Sequence, residues 1–113
     1  MKIVIPKYES EIDKLFKTDS NIILDFYADW CGPCKVISKA FQEIKDENIF
    51  KNITLIKIDI AKFTNLAHVY NVKSLPTVIY TSDASGEINV LKTKVGSMNK
   101  KDLIEMIGRV YDK

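Results

Sequence analysis

The six residues Ile22-Ile23-Leu24-Asp25-Phe26-Tyr27 are apolar or aromatic but for a single carboxylate. A run of that kind reads as a central strand covered on both faces, because a strand with one wet face would alternate apolar and polar residues. Such a strand needs helices on either side of its sheet, and this one feeds directly into Asp29-Trp30-Cys31-Gly32-Pro33-Cys34. From Pro33 onward Ile37, Ala40, Phe41 and Ile44 recur at helical spacing. Proline suits an early helical position, where its missing amide would be unpaired anyway.

The remaining periodicity completes an α/β pattern. Ile3-Val4-Ile5 reads as a short first strand, and Tyr8, Ile12, Leu15 and Phe16 as the buried face of a first helix. Residues 54–60 (TLIKIDI) form a third strand, and Phe63, Leu66, Ala67 and Tyr70 a short helix that Asn71 can close. Thr77-Val78-Ile79-Tyr80 and Ile88-Asn89-Val90-Leu91 flank the turn-rich Ser82-Asp83-Ala84-Ser85-Gly86, a hairpin signature. Gly96 precedes a last helix with Leu103, Met106, Ile107 and Val110 inside, and Asn99 with Asp102 resembles a capping box at its start. The order βαβαβα then ββα predicts one α/β domain with a mixed sheet, occupying residues 1–113.

Charge excludes some functions. The net charge is only +2, the charges are scattered, and Arg109 is the lone arginine, whereas base and phosphate readout lean on arginine. Nucleic acid is therefore not an expected partner. The apolar run that Pro6 ends is too short for a signal peptide, and no stretch is long enough to span a bilayer. The expected location is the cytoplasm, with no membrane partner.

Cys31 and Cys34 are the only cysteines. A bond between them would close almost no loop, so a structural staple is a poor use of the spacing. Disulfide exchange is a good one. The attacking species is the thiolate, and the unpaired amides and positive dipole end of a helix start stabilise that charge. Cys31, just before the helix, would strike a substrate disulfide; Cys34, in the first turn, would resolve the mixed disulfide. Gly32 and Pro33 keep the turn tight and free of obstructing side chains. A zinc site would need two more ligands, and the only other strong candidate, His68, falls opposite the apolar face of its helix. No metal is expected.

Asp25 stands out because burying a carboxylate is costly unless it is paired or protonated. A raised pKa would suit it to take the proton from Cys34; the alternative is a side chain on a solvated edge. Lys57 interrupts the third strand in the same way, either facing Asp25 and tuning its charge or lying on the solvent side of an alternating strand.

At these residues the chain resembles the thioredoxin family over nearly its full length. The resemblance rests on WCGPCK from Trp30 to Lys35, on Asp25, on Lys57, on Leu75-Pro76-Thr77 and on Val95-Gly96. It implies a thioredoxin fold, with a central five-stranded mixed sheet in order 1-3-2-4-5 flanked by four helices. It also implies a cis Pro76 facing the cysteines; from the residues alone, Pro76 could equally be a trans proline opening an edge strand. By the same resemblance the backbone of Leu75 pairs with a substrate segment, and Trp30, Gly32, Pro33, Leu75 and Gly96 form an apolar contact patch. The implied activity is protein-disulfide reduction by a monomer without a bound cofactor. Its implied partners are disulfide-containing proteins and a thioredoxin reductase that passes on electrons from NADPH.

The chain departs from the family at Tyr27, often Trp, at Ser74, often Gly, and at Lys39, often Pro, and its last hairpin is longer. An oxidase or isomerase of the same fold would tend to carry His where Pro33 stands. A thioredoxin fold kept only as a binding module would not need the intact site.

Overall fold

The apolar run becomes the middle of a sheet. A computed structural model describes residues 1–84 and 87–111. In it β2 (Asn21–Tyr27) lies between β3 (Thr54–Asp59), which runs parallel to it, and β4 (Thr77–Ala84), which runs antiparallel. The short β1 (Lys2–Val4) pairs with β3 and the long β5 (Glu87–Val95) with β4, giving the order β1-β3-β2-β4-β5. Four helices complete the expected fold: α1 (Glu9–Thr18), α2 (Gly32–Asp46), α3 (Thr64–Val69) and α4 (Lys100–Tyr111).

Alternation along the strands divides the core in two. On one face Ile23, Leu55, Val78 and Tyr80 pack against Ile37, Phe41 and Ile44 of α2 and Leu103 and Ile107 of α4. On the other, Ile22, Leu24, Phe26, Ile56, Ile58 and Ile79 pack against Ile12 of α1 and Phe63 at the start of α3. Each fully buried aliphatic side chain contributes roughly 1.5–3 kcal/mol. The Tyr111 hydroxyl ties the end of α4 to the sheet by donating to the Thr81 carbonyl at 2.7 Å.

Four local expectations shift. Tyr8 is not on the buried face of α1: it precedes the helix in extended backbone and is exposed, so helical spacing does not apply to it. The first strand is displaced by one residue and leaves Ile5 exposed before Pro6. The third strand stops at Asp59, one residue short of Ile60. In the hairpin, Ser82, Asp83 and Ala84 belong to β4, paired with β5, and not to the turn; Ser85 and Gly86, the rest of the expected turn, lie outside the described residues. Asn71 closes α3 as expected, and of the expected capping box at α4 the Asn99 half forms. Asn71 sits at φ 56, with its amide on the His68 carbonyl at 3.1 Å, and Asn99 Oδ1 accepts the Asp102 amide at 2.8 Å.

Candidate active site

The chain leaves β2 through Ala28 and enters α2 at Gly32, which makes Cys31 the residue that caps the helix. Its Sγ accepts the Cys34 amide at 3.2 Å, and its own amide donates to the Ala28 carbonyl at 3.1 Å. Cys31 and Cys34 are joined as a disulfide, with their Cα atoms 5.3 Å apart. Only 5% of Cys31 and 3% of Cys34 is exposed, whereas Trp30 is 79% exposed and Gly32 and Pro33 are also at the surface. The sulfurs are thus reached past a rim of exposed residues.

The loop before β4 closes over the pair. The Leu75–Pro76 peptide is cis, and the half-buried Leu75 packs against Ala28, Cys31 and Cys34. Pro76 is buried and its carbonyl accepts the Gly96 amide at 2.9 Å; Gly96 has φ 99, a conformation that favours glycine. Thr77 Oγ1 donates to the Ser74 carbonyl at 2.6 Å. Among the described residues, the Leu75 amide and carbonyl have no hydrogen-bond partner. The expected contact residues Trp30, Gly32, Pro33, Leu75 and Gly96 are all exposed or half-buried, and Pro76 is buried.

Asp25 is fully buried at the centre of β2, between Lys57 of β3 and Val78 of β4. The solvated-edge alternative does not hold. Neither carboxyl oxygen has a hydrogen-bond partner among the described residues. Burial pushes its pKa from 3.8 up to about 6, an effect the Lys57 charge partly offsets. Lys57 stands directly opposite Asp25 in register and so on the same side of the sheet. Its ammonium nevertheless goes elsewhere: it donates to Ser38 Oγ at 2.6 Å and lies 4.7 Å from the centre of the Tyr27 ring. Tyr27, Cys34, Ser38, Lys39 and Lys57 line one side cleft of about 500 Å³.

Ser38 and Tyr27 are the site residues that the motif does not point to. Tyr27 lies two residues beyond Asp25 on the same strand, hence on the same face, and Ser38 lies one helical turn beyond Cys34. Those two spacings carry the signal. His68 is exposed on α3, as expected. Among the described residues no group of three or more His, Cys, Asp or Glu could hold a metal ion, and no helix is long and apolar enough to cross a membrane.

Comparison with known proteins extends the likeness beyond the site. The thioredoxin family model matches residues 2–109. A thioredoxin of Mycoplasmoides gallisepticum is 31% identical over 99 residues, spanning 88% of this chain and 93% of that protein. A thioredoxin of Bacillus subtilis is 33% identical over 100 residues, 86% and 91% of the two chains. The crystal structure of a Plasmodium falciparum thioredoxin superposes with a TM-score of 0.82 at 25% identity, covering 96% of this chain and 86% of that one.

Proposed function

This chain belongs to the thioredoxin family and is a dithiol–disulfide protein-disulfide reductase, and from that premise we propose how its residues divide the work. Cys31 is the attacking cysteine. As a thiolate it displaces one sulfur of a substrate disulfide, forming a mixed disulfide and releasing a substrate thiolate. Cys34 then gives up its proton to the Asp25 carboxylate and attacks Cys31 Sγ. The second substrate thiolate leaves, the Cys31–Cys34 bond forms, and two electrons have passed to the substrate. The observation that carries this order is the cap itself, since the Cys31 sulfur already accepts an amide of the first turn of α2. A negative charge on that sulfur is favoured by the hydrogen bond and by the helix dipole.

The contact residues take the supporting roles. An extended substrate segment lies across Trp30, Gly32, Pro33 and Gly96, and pairs with the free amide and carbonyl of Leu75 above Pro76. Main-chain pairing of that kind reads no particular sequence, which suits a range of protein substrates. Lys57 tunes the Asp25 charge. No bound cofactor takes part: a thioredoxin reductase draws electrons from NADPH and returns the pair to the dithiol. The protein works as a monomeric single domain in the cytoplasm, where thiols are kept reduced.

Trapping tests the assignment. Cys34→Ser is expected to stall at the mixed disulfide and accumulate covalent substrate adducts through Cys31, while Cys31→Ser accumulates few. Equal trapping by the two variants would overturn the division of roles.

A further inference from the structure

Asp25 is sealed in the sheet, so its charge is set by the few groups that face it. On its own strand the next residue on that face is Tyr27; from β3 they are Lys57 and, opposite Tyr27, Asp59; from β4 they are Val78 with Tyr80 beyond it, and Asp29, just past β2, lines the adjoining cleft. The helix over this part of the sheet brings Cys34, Lys35, Ser38 and Lys39 to the side cleft. Lys57 carries the only cation directly opposite Asp25 in the sheet, and a lysine stem is long enough to fold back onto a neighbouring carboxylate. It does not do so. No ion pair joins the two residues, and both carboxyl oxygens stay without a partner while the ammonium sits on Ser38 and the Tyr27 ring.

We infer that Ser38 is a positioning residue: its hydroxyl, with the Tyr27 ring, anchors the Lys57 ammonium at the cleft and so keeps it from closing onto Asp25. The consequence for the reaction is direct. A carboxylate in contact with an ammonium is stabilised in its charged form and is a poor base. Held away, Lys57 acts on Asp25 only across a distance, and the carboxyl stays basic enough to accept a thiol proton near neutral pH. That proton later passes to water. The value of this arrangement to the reaction rests on the shuttle role proposed for Asp25, but the positioning does not.

The test therefore reads Asp25 directly. In the oxidised protein, the carboxyl carbon of isotope-labelled aspartate is followed by NMR against pH, with Asp25→Asn identifying the signal. Ser38→Ala, a change that favours the helix, is expected to lower the Asp25 midpoint by about one unit as Lys57 closes onto the carboxylate. Ser38→Thr, which keeps the hydroxyl, is expected to restore the original midpoint. In a Lys57→Gln background the Ser38→Ala change is expected to move nothing, since the ammonium is gone. An unmoved or raised midpoint in Ser38→Ala, or an equal shift without Lys57, overturns the inference. Failure of the shuttle is seen separately: if Asp25→Asn resolves mixed disulfides at the original rate, that role falls while the titration result stands.

Discussion

Relative to the unaltered chain, the oxidised protein with Asp25 replaced by Asn is expected to gain stability progressively as the pH rises from about 4 to above 6. Burial raises the carboxyl from 3.8 to about 6. At about 1.36 kcal/mol per unit, keeping it ionised in the folded state at pH 7 costs about 3 kcal/mol more than in the unfolded chain. The sign follows from which state ionises first. Below about pH 4 the carboxyl is protonated folded and unfolded, and carries no penalty. Between 4 and 6 the unfolded chain ionises while the folded one resists, so stability falls; above 6 the penalty is complete. Asn takes no part in this titration, although its amide carries a constant penalty of its own in the same unpartnered place. The informative quantity is therefore the change with pH in the difference between the two proteins. Urea unfolding at constant ionic strength from pH 4 to 7.5 measures it. A difference that stays flat over that range would refute the claim that Asp25 is a buried, unpaired carboxyl.

Two further predictions concern other parts of the molecule. Leu75→Glu places a charge in the contact patch and is expected to slow reduction of a protein disulfide several-fold while leaving reduction of a small aromatic disulfide nearly unchanged; equal losses on both would remove Leu75 from substrate docking. Asn99→Ala removes the side-chain cap on the Asp102 amide and is expected to cost about 1 kcal/mol in urea unfolding.

The parts of the fold written in local patterns were legible from the sequence. β2 was marked by an apolar run interrupted only by Asp25, α2 by its spacing and its proline, and α4 by its cap. The far half of β4 was not, because Thr81-Ser82-Asp83-Ala84 has the composition of a turn. Pairing with β2 and β5 decides it, and Thr81 turns inward to donate its hydroxyl to the Ile22 carbonyl at 2.8 Å. Within the site, the cysteines and Asp25 could be read from residue type and position. The placement of Lys57 could not, since its two partners come from β2 and α2 and only tertiary packing brings them to one ammonium.

The sulfur that caps α2 has a bearing on endurance. A carrier that passes electrons back and forth must return to its starting shape after every cycle, and any element that melts and re-forms adds a slow and error-prone step. Here the Cys31 sulfur is both the atom whose bond is made and broken and the first acceptor of the helix. An anionic sulfur accepts the Cys34 amide at least as well as a disulfide sulfur does. Opening the bond therefore leaves the first turn anchored, and resetting the molecule is a matter of one covalent bond, with no helix to rebuild.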